Sequence, residues 1–413
     1  MSVFLLHKFT NEHDIAGAII FMKVPLLDLK TQYASLSSQI LDAVRQCIES
    51  QNFILGPEVK TLEERVAASC GVPFAVGCAS GSDALLLSLM ASDFQPKQGV
   101  ITIPFTFFAT VGAVARLGGV PFFVDIDSKT YNLDPIRLEV FLREQCVMKD
   151  GSPYHRGTMT RLHSIIPVHL FGQCADMTPI LRLAKEWKLL VIEDAAQALG
   201  ASYARCPGGS MGDFGCFSFF PSKNLGGAGD GGMVVTSNGE YAEKLKILRV
   251  HGSKPKYHYK FVGINSRLDT LQAAILLVKY SYLAGWAEKR QANAKFYDER
   301  FKEFGSALIT PFILPASQSV YNQYCIRIKN RDLVQHMLYE DGIGTEIYYP
   351  VPLHLQECFV SLGYKKGDFP ISEETSSTIL ALPVYPELTS EQRQYVADCV
   401  GKAVLSSHVA ADA

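Results

Sequence analysis

The sequence predicts an α/β protein: a large domain built on a mainly parallel central sheet covered by helices, then a smaller C-terminal α+β domain. Three observations carry this. Short apolar runs alternate with helical runs from residue 74 to residue 194, the pattern of strands buried on both faces. The run Leu189-Leu190-Val191-Ile192 ends in Glu193-Asp194, which puts acids at a strand end where open α/β sheets bind ligands. Past Gly263 the texture changes, and from about Gly285 the chain becomes more charged. At 413 residues, 48% hydrophobic and 19% charged, the chain is long enough for both domains and too apolar for disorder.

Residues 1–23 read as an N-terminal extension, with a plausible start at Met22; residues 24–284 form the large domain and residues 285–413 the small one. Six polar and charged residues between His7 and Asp14 interrupt the extension, so it has no signal-peptide core. Tyr33, Leu36, Ile40, Val44 and Ile48 recur at helical spacing. Gly56-Pro57 opens a second helix with Val59, Leu62 and Val66 on one face, and Gly71 stops it. Strands are then expected at 74–77, 100–103, 121–124, 165–168 and 189–192. Between them lie helices at 83–90 and 110–117, and one opened by Thr178 as N-cap with Pro179 behind it. The apolar stretch 101–124 contains Pro104, Arg116 and Pro121, so it reads as strand, helix and strand and not as a membrane span. Residues 268–283 read as one long helix bridging domains or subunits. Strands at 324–328 and 344–348 follow, then a capping box from Thr389 to Gln392. The tail from Ser406 reads as frayed.

A formal net charge of −2 gives no sign of a polyanion-binding surface. The ten cysteines contain no CxxC pair, and many lie in apolar runs, which reads as reduced, buried thiols in a cytoplasmic enzyme and not as a zinc site.

Three groups of residues carry chemistry. Lys223 sits between an aromatic run (Phe217, Phe219, Phe220) and a glycine-rich turn (Gly226 to Gly232). Burying a lysine there is costly unless its charge is removed, and desolvation favours the neutral, nucleophilic amine that forms Schiff bases. Pyridoxal phosphate is the common aldehyde partner of such a lysine, and Ser218 stands five residues before it as a phosphate donor. The glycine cluster lacks the GK[ST] ending of a P-loop. The second group, Cys78 to Leu85, runs from a strand through Ser80, Gly81 and Ser82 into a helix. It is either an ordinary N-cap or an anion site. In the third, Asp194 either pairs with a pyridine nitrogen or, like Glu193, caps the next helix.

The ordered motifs TxxATVGAV, HLFGQCADM, VIEDAAQALGA, GDFGCFSFFPSKNLGGAGDGG, GINSRLDTLQAA and YYPVPLHLQ resemble those of the DegT/StrS-type sugar aminotransferases, from about Val24 onward. The resemblance implies fold type I, an aspartate aminotransferase-like architecture, with pyridoxal 5'-phosphate as cofactor. It also implies ping-pong transfer of an amino group from L-glutamate to a keto sugar on a nucleoside diphosphate. Lys223 then matches the Schiff-base lysine and Asp194 the ring-nitrogen partner. Gln197 matches a residue near the ring hydroxyl, Phe107 the stacking aromatic, and Gly81, Ser82 and Ser218 the phosphate cradle. Asn265 matches an asparagine that reaches the phosphate of a neighbouring subunit, implying a homodimer with shared sites. Tyr321, Gln323, Tyr349 and His354 fall in the sugar-nucleotide loops, although many relatives carry His-Tyr-Pro where this chain has Tyr348-Tyr349-Pro350. These loops most resemble relatives acting on 3-keto sugars, a chemistry that feeds lipopolysaccharide and O-antigen. Relatives that are dehydratases carry histidine in place of the lysine, and a regulator could keep the fold without catalysis.

Overall fold

The computed structural model describes residues 22–409. The N-terminal extension before Met22 lies outside the described residues. Seven strands form the central sheet: Phe74–Cys78, Gly232–Thr236, Phe214–Ser218, Leu190–Asp194, Leu162–Ile165, Gly99–Thr102 and Val120–Phe123, in that spatial order. Only Gly232–Thr236 runs against its neighbours; the pairings from Phe214–Ser218 across to Val120–Phe123 are all parallel.

The apolar runs are buried on both faces, and alternation sorts their side chains. Val191, Phe217, Met233 and Val235 join one core with Val59, Leu62 and Val66 of helix Pro57–Cys70 and Ile180 and Leu183 of helix Met177–Trp187. Ile192, Phe214, Cys216 and Val234 join the opposite core with Leu85 and Leu87 of helix Gly81–Ala91 and Val114 of helix Ala109–Arg116. Period two therefore sends the side chains of Glu193 and Asp194 to opposite faces, which bears directly on the acid left ambiguous by the sequence.

A separate core gathers residues of the C-terminal part of the chain: Tyr297, Phe301, Tyr324, Ile326, Leu380, Val396 and Val400 pack around the antiparallel pair Tyr324–Arg327 and Ile379–Leu382. Val24 joins this core, with backbone hydrogen bonds to Gly342 and Gly344. Asp125, two residues past strand Val120–Phe123, accepts from the amides of Ile371 and Ser372 and from Ser372 Oγ. It thereby caps helix Pro370–Thr378 from a segment distant in sequence.

Several expectations are corrected. Residues 268–283 form no single helix: Thr270–Tyr280 ends at the exposed Ser281-Tyr282 step, and Leu283–Phe301 begins anew. The second of these is the bridge, burying Trp286 beside Leu36 and Ile40 of helix Leu29–Ser50 and Tyr297 in the C-terminal core. Tyr33 and Ile48 of helix Leu29–Ser50 are exposed, although their spacing put them with its apolar face. Thr178 is not an N-cap; helix Met177–Trp187 starts one residue earlier, and Thr178 Oγ1 instead accepts from the Tyr203 hydroxyl. The strand expected at 165–168 lies at Leu162–Ile165. Residues 344–348 form no strand, only a single bridge from Glu346 to Ala381 before a cis Tyr348–Tyr349 peptide. The chain is not frayed from Ser406: helix Ser390–Val409 continues, with Ser407 buried and its carbonyl accepting from Asn330 Nδ2. The capping box is present, with Thr389 and Gln392 exchanging backbone and side-chain hydrogen bonds. Among the described residues no helix is long and apolar enough to cross a membrane.

Candidate active site

A cleft of about 590 Å³ opens at the C-terminal ends of the parallel strands, large enough for a small cofactor and part of a substrate. Gly81, Ser82, Phe107, Asp194, Gln197, Ser218, Lys223, Gln323 and Tyr349 all line it. Tyr321, His354 and Asn265 do not.

Asp194 ends its strand at 5% exposure. Its Oδ2 accepts from Thr110 Oγ1 at 2.7 Å and its Oδ1 from the Ala196 amide at 3.3 Å. Burial pushes its carboxyl up from the ordinary range; the Thr110 hydroxyl, the Ala196 amide, Lys223 and His169 pull it back. Glu193, facing the other side, is fully occupied. Its Oε1 accepts from the amides of Met211 and Gly212, each at 2.6 Å, and its Oε2 from Gly209 N at 2.8 Å and His169 Nε2 at 2.7 Å. His169 Nδ1 accepts from the Ala175 amide, so the ring proton sits on Nε2 and is donated to Glu193. Glu193 ties down the loop at 209–212, whereas Asp194 lines the cleft.

Lys223 lies on the turn after strand Phe214–Ser218, its amide donating to Phe220 O at 2.8 Å. Burial lowers the ammonium's pKa, and the Asp194 charge pulls it back up in part. The two groups feel each other without forming an ion pair among the described residues. The turn is braced from behind: Asn224 donates to Val320 O and accepts from Asn322, and Lys279 donates to Gly226 O. Gly226 admits no side chain, because a Cβ there would stand 2.2 Å from Pro221 O.

Helix Gly81–Ala91 begins in the wall of the cleft. Ser80 Oγ accepts from the Asp83 amide, so the N-cap reading is correct for Ser80. It does not exclude the anion reading, since the first amides of a helix still have no partner within it. Strand and helix start approach so closely that a Cβ on Gly81 would lie 2.6 Å from Ser218 Cβ. That contact puts Ser218 beside the free amides.

Gln197 Oε1 accepts from the Phe171 amide at 2.6 Å, and its Nε2 donates to the Tyr349 hydroxyl at 3.2 Å. Tyr349 packs against Phe105 and Phe107, at ring separations of 6.1 and 6.2 Å. Phe107 is 56% exposed at the cleft. Tyr321 lies against the Tyr324 ring outside the cleft, tilted to it, and its carbonyl accepts from the buried Arg290. His354 is buried against Phe369, its Nε2 bonded to Glu373 at 3.1 Å. It is a packed histidine held by a carboxylate. Asn265 is exposed and does not line the cleft. Sequence reading missed Thr110; the available signal was two threonines, Thr106 and Thr110, one helical turn apart just past a strand end.

Such a cleft suits a phosphorylated aldehyde that condenses with an amine: a loosened lysine, an acid for a ring nitrogen and a helix start for the phosphate all open into it. The fold and cleft thus define a pyridoxal phosphate-dependent enzyme. The profile of the DegT/DnrJ/EryC1/StrS aminotransferase family matches residues 34–401, and the chain belongs to that family. Among its relatives is a protein of Geobacillus stearothermophilus named pleiotropic regulatory protein, 46% identical over 92% of this chain and 98% of its own length. The UDP-N-acetyl-3-dehydro-alpha-D-glucosamine 3-aminotransferase of Acidithiobacillus ferrooxidans is 40% identical, covering 92% of this chain and 98% of that one. The crystal structure of S. venezuelae DesV in complex with a ketimine intermediate superposes with a TM-score of 0.85 at 35% identity, covering 92% of this chain and 98% of that one. The chain is a pyridoxal phosphate-dependent sugar aminotransferase.

Proposed function

We propose that the enzyme moves an amino group from L-glutamate to a 3-keto sugar carried by a nucleoside diphosphate. The observation that carries the reading is the cleft shared by Lys223, Asp194 and the N-terminus of helix Gly81–Ala91. The 3-keto preference is supported by the 40% identical relative, whose name specifies that position on a UDP-linked sugar. When bound, pyridoxal phosphate supplies the covalent carrier for the amino group and the electron sink. Lys223 Nζ would hold the carrier until the donor's amine displaces it; the freed amine would then take the proton from the donor's α-carbon as general base and pass it on to the carrier. Asp194 would pair with the ring nitrogen and keep it protonated. Gly81, Ser82 and Ser218 would hold the phosphate, Phe107 would stack on the ring, and Gln197 and Tyr349 would flank it. Gln323, which also lines the cleft, would contact the sugar.

The reading includes a cytoplasmic homodimer. Asn265 is exposed and does not line its own cleft, and the neighbouring segment leaves Tyr257, Tyr259, Phe261 and Val262 exposed at 73%, 64%, 40% and 93%. A contiguous apolar segment of this kind is covered in a working enzyme, and a second copy would bring Asn265 to the partner's phosphate. Sedimentation analysis should return twice the monomer mass; a monomer with full activity would refute the shared site. The product is suited to lipopolysaccharide or O-antigen assembly.

A direct test incubates the holoenzyme with glutamate and a set of UDP- and dTDP-linked 3-keto and 4-keto sugars. We expect 2-oxoglutarate to form stoichiometrically with the 3-amino sugar. Turnover confined to 4-keto sugars would overturn the regiochemistry, and none with any sugar would overturn the acceptor class. A regulator needs no desolvated lysine in a cofactor-sized cleft, and a dehydratase of this fold would carry histidine at position 223.

A further inference from the structure

Asp194 is held by a second element besides its own strand. Thr110, on the first turn of helix Ala109–Arg116, bonds Asp194 Oδ2 at 2.7 Å, and Thr106 Oγ1 lies 3.0 Å from Thr110 Oγ1. Thr106, Thr110 and Asp194 are 2%, 0% and 5% exposed, so no bulk water competes for these bonds. An ionised carboxylate only accepts. The Thr110 hydrogen is therefore committed to Asp194, and the Thr110 oxygen is left to accept the Thr106 hydrogen. The chain runs one way, from Thr106 through Thr110 to Asp194, and each bond polarises the next. Asp194 Oδ1, by contrast, takes only the 3.3 Å bond from Ala196. One carboxylate oxygen is fixed and the other keeps its acceptor capacity for the cleft.

We propose that Thr110 is a positioning residue for the cofactor. Its hydroxyl, backed by Thr106, clamps Oδ2 of Asp194, so that Oδ1 accepts from the ring nitrogen and the shared proton stays on the nitrogen. The inference rests on Asp194 being the ring-nitrogen partner. Its force comes from a competition. Burial favours the protonated carboxyl, and a neutral Asp194 cannot hold a pyridinium. Of the groups opposing burial, Thr110 is first, ahead of the Ala196 amide, Lys223 and His169, the charged and titratable groups that act on this carboxyl. A hydrogen bond to an ionised group alters its proton affinity by about ten- to a hundredfold, enough to move a proton shared between two bases of similar strength.

The test uses holoenzyme loaded with pyridoxal phosphate labelled with 15N in the ring, in wild type, Thr110→Ser, Thr110→Val, Thr106→Val and Asp194→Asn. The nitrogen chemical shift separates pyridinium from pyridine, and Asp194→Asn marks the pyridine end. We expect wild type and Thr110→Ser at the pyridinium position, Thr110→Val displaced towards pyridine, and Thr106→Val in between. The donor half-reaction should slow about ten- to a hundredfold in Thr110→Val, with KM for glutamate little changed. A wild-type nitrogen shift in both valine variants overturns the proposal. Should Thr110→Val fail to fold, the Thr106→Val shift decides alone. A wild-type protein that takes up cofactor but shows no nitrogen response to Asp194→Asn overturns the assignment of Asp194 itself, and with it the inference.

Discussion

Lys223→Ala is expected to lose transamination by at least about 10²–10⁴-fold, the contribution of a single general base, with the loss of covalent attachment added to it. Lys223 is the sole lysine or arginine lining the cleft among the described residues, so no neighbouring amine can take over. Its position explains its reactivity. Burial lowers the ammonium's pKa, and although Asp194 resists, desolvation is the larger influence. More of the free amine is therefore present at neutral pH than on an exposed lysine, and only the free amine attacks an aldehyde or accepts a proton. The remaining cradle is independent of this residue, so the alanine variant should still take up pyridoxal phosphate without a bond to it. Borohydride reduction followed by mass spectrometry should mark residue 223 in wild type and nothing in the variant. Lys223→Arg separates charge from chemistry: it keeps a cation near Asp194 but does not give up its proton in a protein, and should be as inactive as alanine. A small primary amine added to the solution should restore part of the rate in Lys223→Ala only. Donor half-reaction rates within tenfold of wild type in Lys223→Ala would remove the lysine from the mechanism.

How much of this was legible in the sequence depends on the range over which each feature is encoded. Strand and helix alternation is local, and the strands at Phe74–Cys78 and Leu190–Asp194 appear within a residue or so of where their apolar runs put them. Lys223 and Asp194 were legible because each stands out against its own neighbours, a cation among phenylalanines and an acid closing an apolar strand. The features missed depend on tertiary contact. Whether Glu193 or Asp194 faced the cleft follows from which face of the sheet each occupies, and that is set by helices far away in sequence. The break at Ser281-Tyr282 was hidden because both flanking segments are good helices; only packing against two different cores separates them. Tyr321 and His354 lie in loops whose paths no local rule fixes. The structure brings Gln323 and Tyr349 to the cleft and leaves the other two outside it.

The largest stability effect is expected at the other acid. Glu193→Ala should lower unfolding free energy by about 3–5 kcal/mol, the cost of losing several hydrogen bonds to one buried acceptor after partial relaxation. Four donors converge on this carboxylate, the amides of Gly209, Met211 and Gly212 and His169 Nε2. With the side chain truncated, all four lose their acceptor, and the Gly209 amide and the histidine are fully buried. An unsatisfied buried donor costs about 1–3 kcal/mol each before relaxation, so the summed loss is limited mainly by how far the loop can shift to admit water. That shift is constrained. Gly209 packs so tightly on the Phe214–Ser218 strand that a Cβ on Gly215 would lie 1.9 Å from Gly209 O. Relaxing the loop therefore disturbs the strand that ends in Ser218 and leads into Lys223. Glu193→Ala should also weaken cofactor affinity although Glu193 never enters the cleft. Glu193→Gln keeps the shape and one acceptor oxygen but turns an NH2 group towards remaining donors, so it should fall between wild type and alanine. Denaturant midpoints of the apo proteins, compared with cofactor titrations, separate the two effects. A loss below about 1 kcal/mol in Glu193→Ala would mean that the loop at 209–212 is held by its own packing and not by the acid beneath it.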